Sequence, residues 1–187
     1  MKNRSTRRRI IRKTLEDLFK KHGYEDYRWI DPKSIVVAQW VRMKCTFGCK
    51  EYGKSACCPP NVPSVPECRA LFREYKAGVI FHFGKTVAKP EDRFAWTRGV
   101  NSKLLKLERE IFLAGYYKIF LLFMDSCNLC DSCPGVRVEC KYPKLSRPTP
   151  EAMAIDVFST VRTIGYPIEV LSDYSQEMNR YAFLLIE

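Results

Sequence analysis

Apolar residues recur along the chain with two different periods, and the changes between them outline the elements. Ile11, Leu15, Leu18 and Phe19 stand at i, i+4, i+7 and i+8, the spacing of one helical face, and Gly23 follows as a stop. A Val-rich run containing Trp40, residues 34–43, predicts a strand that leads straight into Cys45. Leu71, Phe72 and Tyr75 share one face of a helix predicted over 67–76, and residues 78–83 read as a buried strand. After Pro90 the stripe Leu104, Leu107, Ile111 and Phe112 predicts a long helix ended by Gly115. Residues 116–124 carry the strongest strand signal, and they too lead into a cysteine-bearing segment. Thr149, Pro150 and Glu151 supply a cap, a proline at the first helical position and an acid behind it, for a helix running to about Gly165. Strands at 167–171 and 181–186 complete the chain.

Strands that alternate with helices predict an α/β fold, a mixed sheet with helices packed on it. The order strand, cysteine loop, helix, strand occurs twice. Both cysteine-rich loops therefore follow strands, where open α/β sheets place their ligands. The expected organisation is a basic amphipathic helix over 1–24 and a single α/β domain over 25–187, with cysteine loops at 45–68 and 127–140.

A chain of 187 residues that is 46% hydrophobic can bury a core. No uncharged stretch reaches the ~18–20 residues of a membrane span. The segment after the basic start is punctuated by Arg12, Lys13, Glu16, Asp17, Lys20 and Lys21, so it does not read as a secretory signal and a cytoplasmic location is expected. Of the net charge of +11, most lies in residues 1–22, where nine Lys or Arg oppose only Glu16 and Asp17. Such a patch steers acidic proteins into contact, so an acidic electron carrier is the expected partner. Arg7, Arg8 and Arg9 would also attract phosphates, but a solvated helix face is the commoner outcome, and nucleic acid is not expected.

Nine cysteines change the picture most. In a reducing compartment clustered thiols point to metal or redox chemistry rather than to structural disulfides. Cys127, Cys130 and Cys133 spell CxxCxxC, and Cys140 follows after six residues that include the turn formers Pro134 and Gly135. Three cysteines at steps of three cannot share a strand face. In a looped backbone they wrap a compact inorganic core, as in the opening of the bacterial ferredoxin run. A 4Fe-4S cluster is the preferred reading. Four cysteines also satisfy zinc, the alternative, although zinc sites are usually built from two separated pairs. Reduced cysteines buried as small hydrophobes are the bland reading, and Asn128, Asp131, Ser132 and Gly135 would make a poor core.

The first group is less regular: Cys45, Cys49, the doublet Cys57 and Cys58 before Pro59 and Pro60, and Cys68 in the first turn of the predicted helix. Neighbours in an extended chain point to opposite sides, so Cys57 and Cys58 are not expected to face one centre together. A helix N-terminus favours a thiolate at Cys68. The expected ligands are Cys45, Cys49, Cys58 and Cys68, with Cys57 in reserve, and the choice between Cys57 and Cys68 stays open. If only three bind, one iron is open to an exogenous ligand and the protein moves from electron carrier towards enzyme.

The segment from Lys44 through Cys45, Gly48, Cys49 and Gly53 to Cys58, Pro59 and Pro60, with the CxxCxxC and the later run Arg147 to Ala152, resembles a prokaryotic family of predicted metal-binding proteins defined as a domain of unknown function. The likeness runs from about Val41 to Leu171. It implies metal binding by these cysteines, and a family commonest in anaerobes suits oxygen-sensitive iron and sulfur chemistry. The basic helix lies outside it.

Of the two histidines, His82 reads as a hydrogen-bonded residue of its strand and His22 as a helix-end residue favoured by the dipole. No GxxxxGK or GxGxxG is present, so nucleotide binding has no support. Arg147 and Glu151 are expected to pair and pin the second loop to the next helix, or Arg147 to compensate thiolate charge. Lys44, Lys50, Lys54, Arg137 and Lys141 would favour a reduced, more negative cluster. The resulting expectation is an iron-sulfur protein with two cysteine-ligated clusters that exchanges electrons with a redox partner. An enzyme with a three-cysteine cluster and a zinc-stabilised nucleic-acid-binding module are the alternatives.

Overall fold

The computed structural model describes residues 2–173 and 175–187, with side chains from Arg12 onward. The side chains of Ile11 and of Arg7, Arg8 and Arg9 lie outside the described residues. Four strands, β1 (Tyr27–Ile30), β2 (Ala77–Lys85), β3 (Phe120–Leu122) and β4 (Met178–Ile186), form one sheet in the order β1-β2-β4-β3. Every pairing is antiparallel, with Val79 opposite Leu184 and Leu121 opposite the same residue from the other side. The α/β expectation holds, with an antiparallel sheet in place of a mixed one.

Both faces of this sheet are covered, so its central strands are apolar on both sides and alternate between two cores. Val79, Phe81, Leu121, Ala182, Leu184 and Ile186 face one core. It is closed by Leu15 and Phe19 of α1 (Lys2–Lys21) and by Leu104, Leu107 and Ile111 of α4 (Asp92–Leu113). Ile80, Leu122, Tyr181, Phe183 and Leu185 face the other. There they meet Cys68 and Phe72 of α3 (Val65–Arg73) and Val157 and Val161 of α5 (Val157–Thr163). Leu15 and Phe19 of the predicted α1 stripe and Leu104, Leu107 and Ile111 of the α4 stripe are thus buried. Phe112, expected on the same stripe, is exposed because it stands in the last turn beyond the sheet contact, and Gly115, at φ +101°, ends α4 as expected.

Three expectations give way to packing. Residues 34–43 do not form a strand: only Val37 bridges, to Ile155, and Gln39–Gly48 is a helix, α2. The β-branched run ends at Val37, and the residues after it tolerate a helix. Arg42 fixes that helix by donating to the carbonyls of Pro63 and Ala152, both at 3.0 Å. The first cysteine segment therefore begins inside a helix instead of following a strand. The second does follow a strand, although β3 is only three residues long. Residues 149–154 form turns rather than the start of a long helix, and α5 begins after Asp156, whose carboxylate accepts from Ser159 N at 3.0 Å. Residues 167–171 are apolar but pair with no strand; the Ile168 carbonyl accepts from Arg162 at 3.1 Å instead.

His82 fulfils its expected role on β2, bonded to Asp26 at 2.6 Å and Asn179 at 2.7 Å and stacked on Tyr181. His22 meets Glu110 of α4 at 2.7 Å. Leu107, 1% exposed, stands at the centre of the α4 contact. Leu107→Ala should cost about 2–5 kcal/mol in urea unfolding; a loss below about 1 kcal/mol would show that α4 does not close this core.

Candidate metal centres

Cys45 sits in the last turn of α2 and Cys49 is the residue that caps it. Their spacing of four is a helical spacing, which puts both sulfurs on one face. Cys58 lies in a turn whose amide bonds back to the Ser55 carbonyl at 3.2 Å. Burial pushes the Cys58 thiol up to about 11, and neighbouring charge at Cys57, Cys45 and Cys49 adds to the rise. The Cys45 thiol is also raised, first by burial and then by Cys49, with the Arg42 guanidinium opposing. Cys45, Cys49 and Cys58 thus lie close enough for charge on one thiol to raise another. Cys68 belongs to the core under the sheet: it is 0% exposed, and its thiol donates to the Pro63 carbonyl at 3.6 Å. Burial raises it and Arg42 opposes, so Arg42 stands near both Cys45 and Cys68.

The second group gathers Cys127, Cys130, Cys133 and Cys140, and Cys57 joins them from the first segment. The neighbouring Cys127 thiol lowers the Cys57 pKa and Cys57 raises that of Cys127; burial raises both, while Ser146 and Arg137 help Cys57 towards thiolate. Arg137 Nη1 lies 3.7 Å from the Cys57 sulfur and also reaches Ser146, whose hydroxyl is 3.4 Å from the Cys140 sulfur. Backbone amides of Leu129 and Arg147 point at Cys127, and the Ala56 amide donates to the Cys133 sulfur at 3.4 Å. Cys130 is raised by burial and by the adjacent Cys133, with Lys141 opposing. N–H groups and cations directed at sulfur favour the thiolate, the form that ligates metal.

The two segments touch through backbone. Asn61 Nδ2 donates to the Gly135 carbonyl at 2.7 Å and to the Ser55 carbonyl at 3.1 Å. Gly135 has φ +82°, and a Cβ there would lie 3.1 Å from the Gly53 carbonyl oxygen. Arg147 does not pair with Glu151. It donates to Glu108 of α4 at 3.1 and 2.8 Å, and Glu108 also accepts from Leu121 N at 2.9 Å, so the residue after the second group is tied to the core. The reason is burial: the Glu108 side chain is 8% exposed and requires a cation, whereas Glu151 faces a cavity.

That cavity, of about 360 Å³, is lined by Trp40, Lys44, Cys45, Cys49, Arg180 and Tyr181 among others. Asp125, at φ +63°, and Glu151 also line it. Glu151 opens onto this space, and the protein crowding its walls raises its carboxyl pKa.

A sequence profile described as a predicted metal-binding protein family (DUF2284) matches residues 28–186. The chain belongs to that family. Neither a curated protein nor a solved structure matches it. For a DUF2284 member the donor chemistry fits: two all-sulfur sets, each with soft ligands, one of them ringed by amide donors. Among the described residues no three His, Cys, Asp or Glu side chains close around the position of a single ion. No described helix is long and apolar enough to cross a membrane.

Cys57, expected only as a reserve ligand of the first group, instead neighbours Cys127 across seventy residues of chain, a contact that no local pattern marks. The helical spacing of Cys45 and Cys49 was a readable signal for α2. Arg147→Ala should destabilise the protein by about 3–5 kcal/mol, because it leaves Glu108 buried without its cation. Urea unfolding of Arg147→Ala beside the double variant with Glu108→Gln checks this: the double variant should recover part of the loss, and no recovery would place the role of Arg147 elsewhere.

Proposed function

We propose that this protein is an iron-sulfur redox protein with two thiolate-held centres, one on Cys127, Cys130, Cys133 and Cys140 and one on Cys45, Cys49 and Cys58. The observation that carries the reading is the segregation of every thiol except Cys68 into two groups on adjoining segments. When bound, such clusters supply one-electron chemistry, and an iron lacking a thiolate supplies a Lewis-acidic position. The CxxCxxC spacing favours a 4Fe-4S core over zinc at the second group. The chain's own part is to set the charge around the sulfurs: the amides of Ala56, Leu129 and Arg147, with Arg137 and Lys141, stabilise negative charge there and so favour the reduced state.

Thiols raised by burial hold their protons at neutral pH in the metal-free chain. Loading a metal must release those protons, so affinity falls as pH falls. A reducing cytoplasm would keep these thiols available, and an acidic electron carrier attracted by the basic residues of segment 1–24 is the proposed partner.

A second reading, an enzyme acting on a small molecule at the three-thiol centre, is favoured by two features together. Cys68 is committed to the core, and the wall carrying Cys45 and Cys49 faces a cavity.

Protein purified without oxygen should carry about eight irons and eight acid-labile sulfides per chain, with a visible band that dithionite bleaches. Zinc without sulfide would overturn the redox reading. Cys58→Ala should remove about half of the iron, while Cys68→Ala should keep it all and lose about 1–2 kcal/mol of stability. Equal iron loss in both variants would make Cys68 a ligand and remove the open position on which the enzyme reading depends.

A further inference from the structure

Apart from Cys68, which the core absorbs, Cys57 is the thiol that neither proposed centre uses. It is 4% exposed, yet it belongs to neither hydrophobic core. Its company is polar and comes from the second cysteine segment. Arg137 Nη1 reaches the Cys57 sulfur at 3.7 Å and donates also to the Ser146 hydroxyl. The Cys140 thiol donates to that same hydroxyl at 3.4 Å. The Ser146 oxygen therefore accepts twice and keeps its own proton to donate, and Ser146, 5% exposed, favours negative charge on Cys57. One residue earlier, the Ala56 amide donates to the Cys133 sulfur at 3.4 Å, and Cys57 itself neighbours Cys127. Cys130 in turn responds to charge at Cys133 and Cys140. Cys57 thus meets the second group at two points, directly at Cys127 and through Ser146 and Arg137 at Cys140.

A 4Fe-4S core takes four thiolates, and five sulfurs are gathered here. Cys127, Cys130 and Cys133 come from one CxxCxxC stretch, so the fourth position lies between Cys57 and Cys140. We propose that Cys57 and Cys140 are alternative ligands for the fourth position of the second centre, with Ser146 and Arg137 holding whichever sulfur is not bound. A hydroxyl suits both arrangements, because it accepts from a thiol and donates to a thiolate. The two arrangements differ only in which sulfur has given up its proton, so no electrons change hands. This rests on the reading of the second group as a thiolate-held centre, and not on which metal it holds.

The test uses the full chain, purified without oxygen, as wild type, Cys57→Ala, Cys140→Ala and the double variant. Iron, acid-labile sulfide and zinc are counted, together with the iron released by brief ferricyanide oxidation, which strips a corner that lacks a thiolate. Each single variant should match the wild-type chain in every count, because the remaining sulfur fills the fourth position. The double variant should release about one more iron per chain, or lose about half of its iron. An open corner or lost cluster in Cys140→Ala alone would make Cys140 the sole fourth ligand and overturn the proposal. The same result in Cys57→Ala alone would overturn it in favour of Cys57, and a double variant that matches wild type would leave neither sulfur as a ligand. Urea unfolding of the metal-free chains checks that each variant folds. Should the double variant fail to fold, the two single variants decide, since a corner left open in either one contradicts interchange. Zinc without sulfide in the wild-type chain strikes only at the iron-sulfur reading; zinc retained by both single variants and lost from the double then supports the proposal. Full iron and sulfide in the wild type, with an open corner in one single variant, strikes only at the proposal.

Discussion

A side-chain amide is the shortest of several polar contacts that join the two cysteine segments. Asn61 spans the two cysteine segments, with one hydrogen on the Ser55 carbonyl and the other on the Gly135 carbonyl. These segments are rich in turns, and polar contacts join one to the other. Their association rests on hydrogen bonds and on a close approach of glycine backbone to glycine backbone. A cross-link of this kind is specific in position because each carbonyl accepts along a defined direction, and it fixes which sulfurs become neighbours.

The sheet supplies the rigid ground beneath this arrangement. The segment with CxxCxxC leaves β3 directly, and the Phe123 amide bonds to the Pro148 carbonyl at 2.9 Å, so the loop is anchored where it departs and where it returns. Arg147 and Glu108 repeat the anchoring with charge, next to the return. The first segment hangs from α2, which Arg42 holds in turn. The cysteine loops are therefore carried by well-packed elements, the usual division between scaffold and loop.

Long amphipathic patterns were legible: α1, α3, α4, β2 and β4 all derive from stripes or apolar runs that find their burial on the sheet. Short or half-buried segments were not. Helix α2 buries only Val41, so its sequence carries almost no periodic signal, and the preceding valines suggested a strand. Residues 167–171 have the composition of a strand without a neighbour to pair with. At the site, the local spacing of Cys127, Cys130 and Cys133 was readable because one loop contains it. The placement of Cys57 and Cys68 was not, since it is decided by contacts between distant segments and by which thiol the core absorbs.

The alternation of Cys57 and Cys58 links the two sulfur groups by a single peptide unit. Consecutive Cα atoms are about 3.8 Å apart across a planar bond, so the groups are separated by a covalent spacer rather than by packing alone. Loosening of the surrounding core changes side-chain contacts but not the length of that spacer. The Cα atoms that carry one sulfur of each group therefore keep a fixed separation, whatever rotation the flanking backbone and side chains undergo.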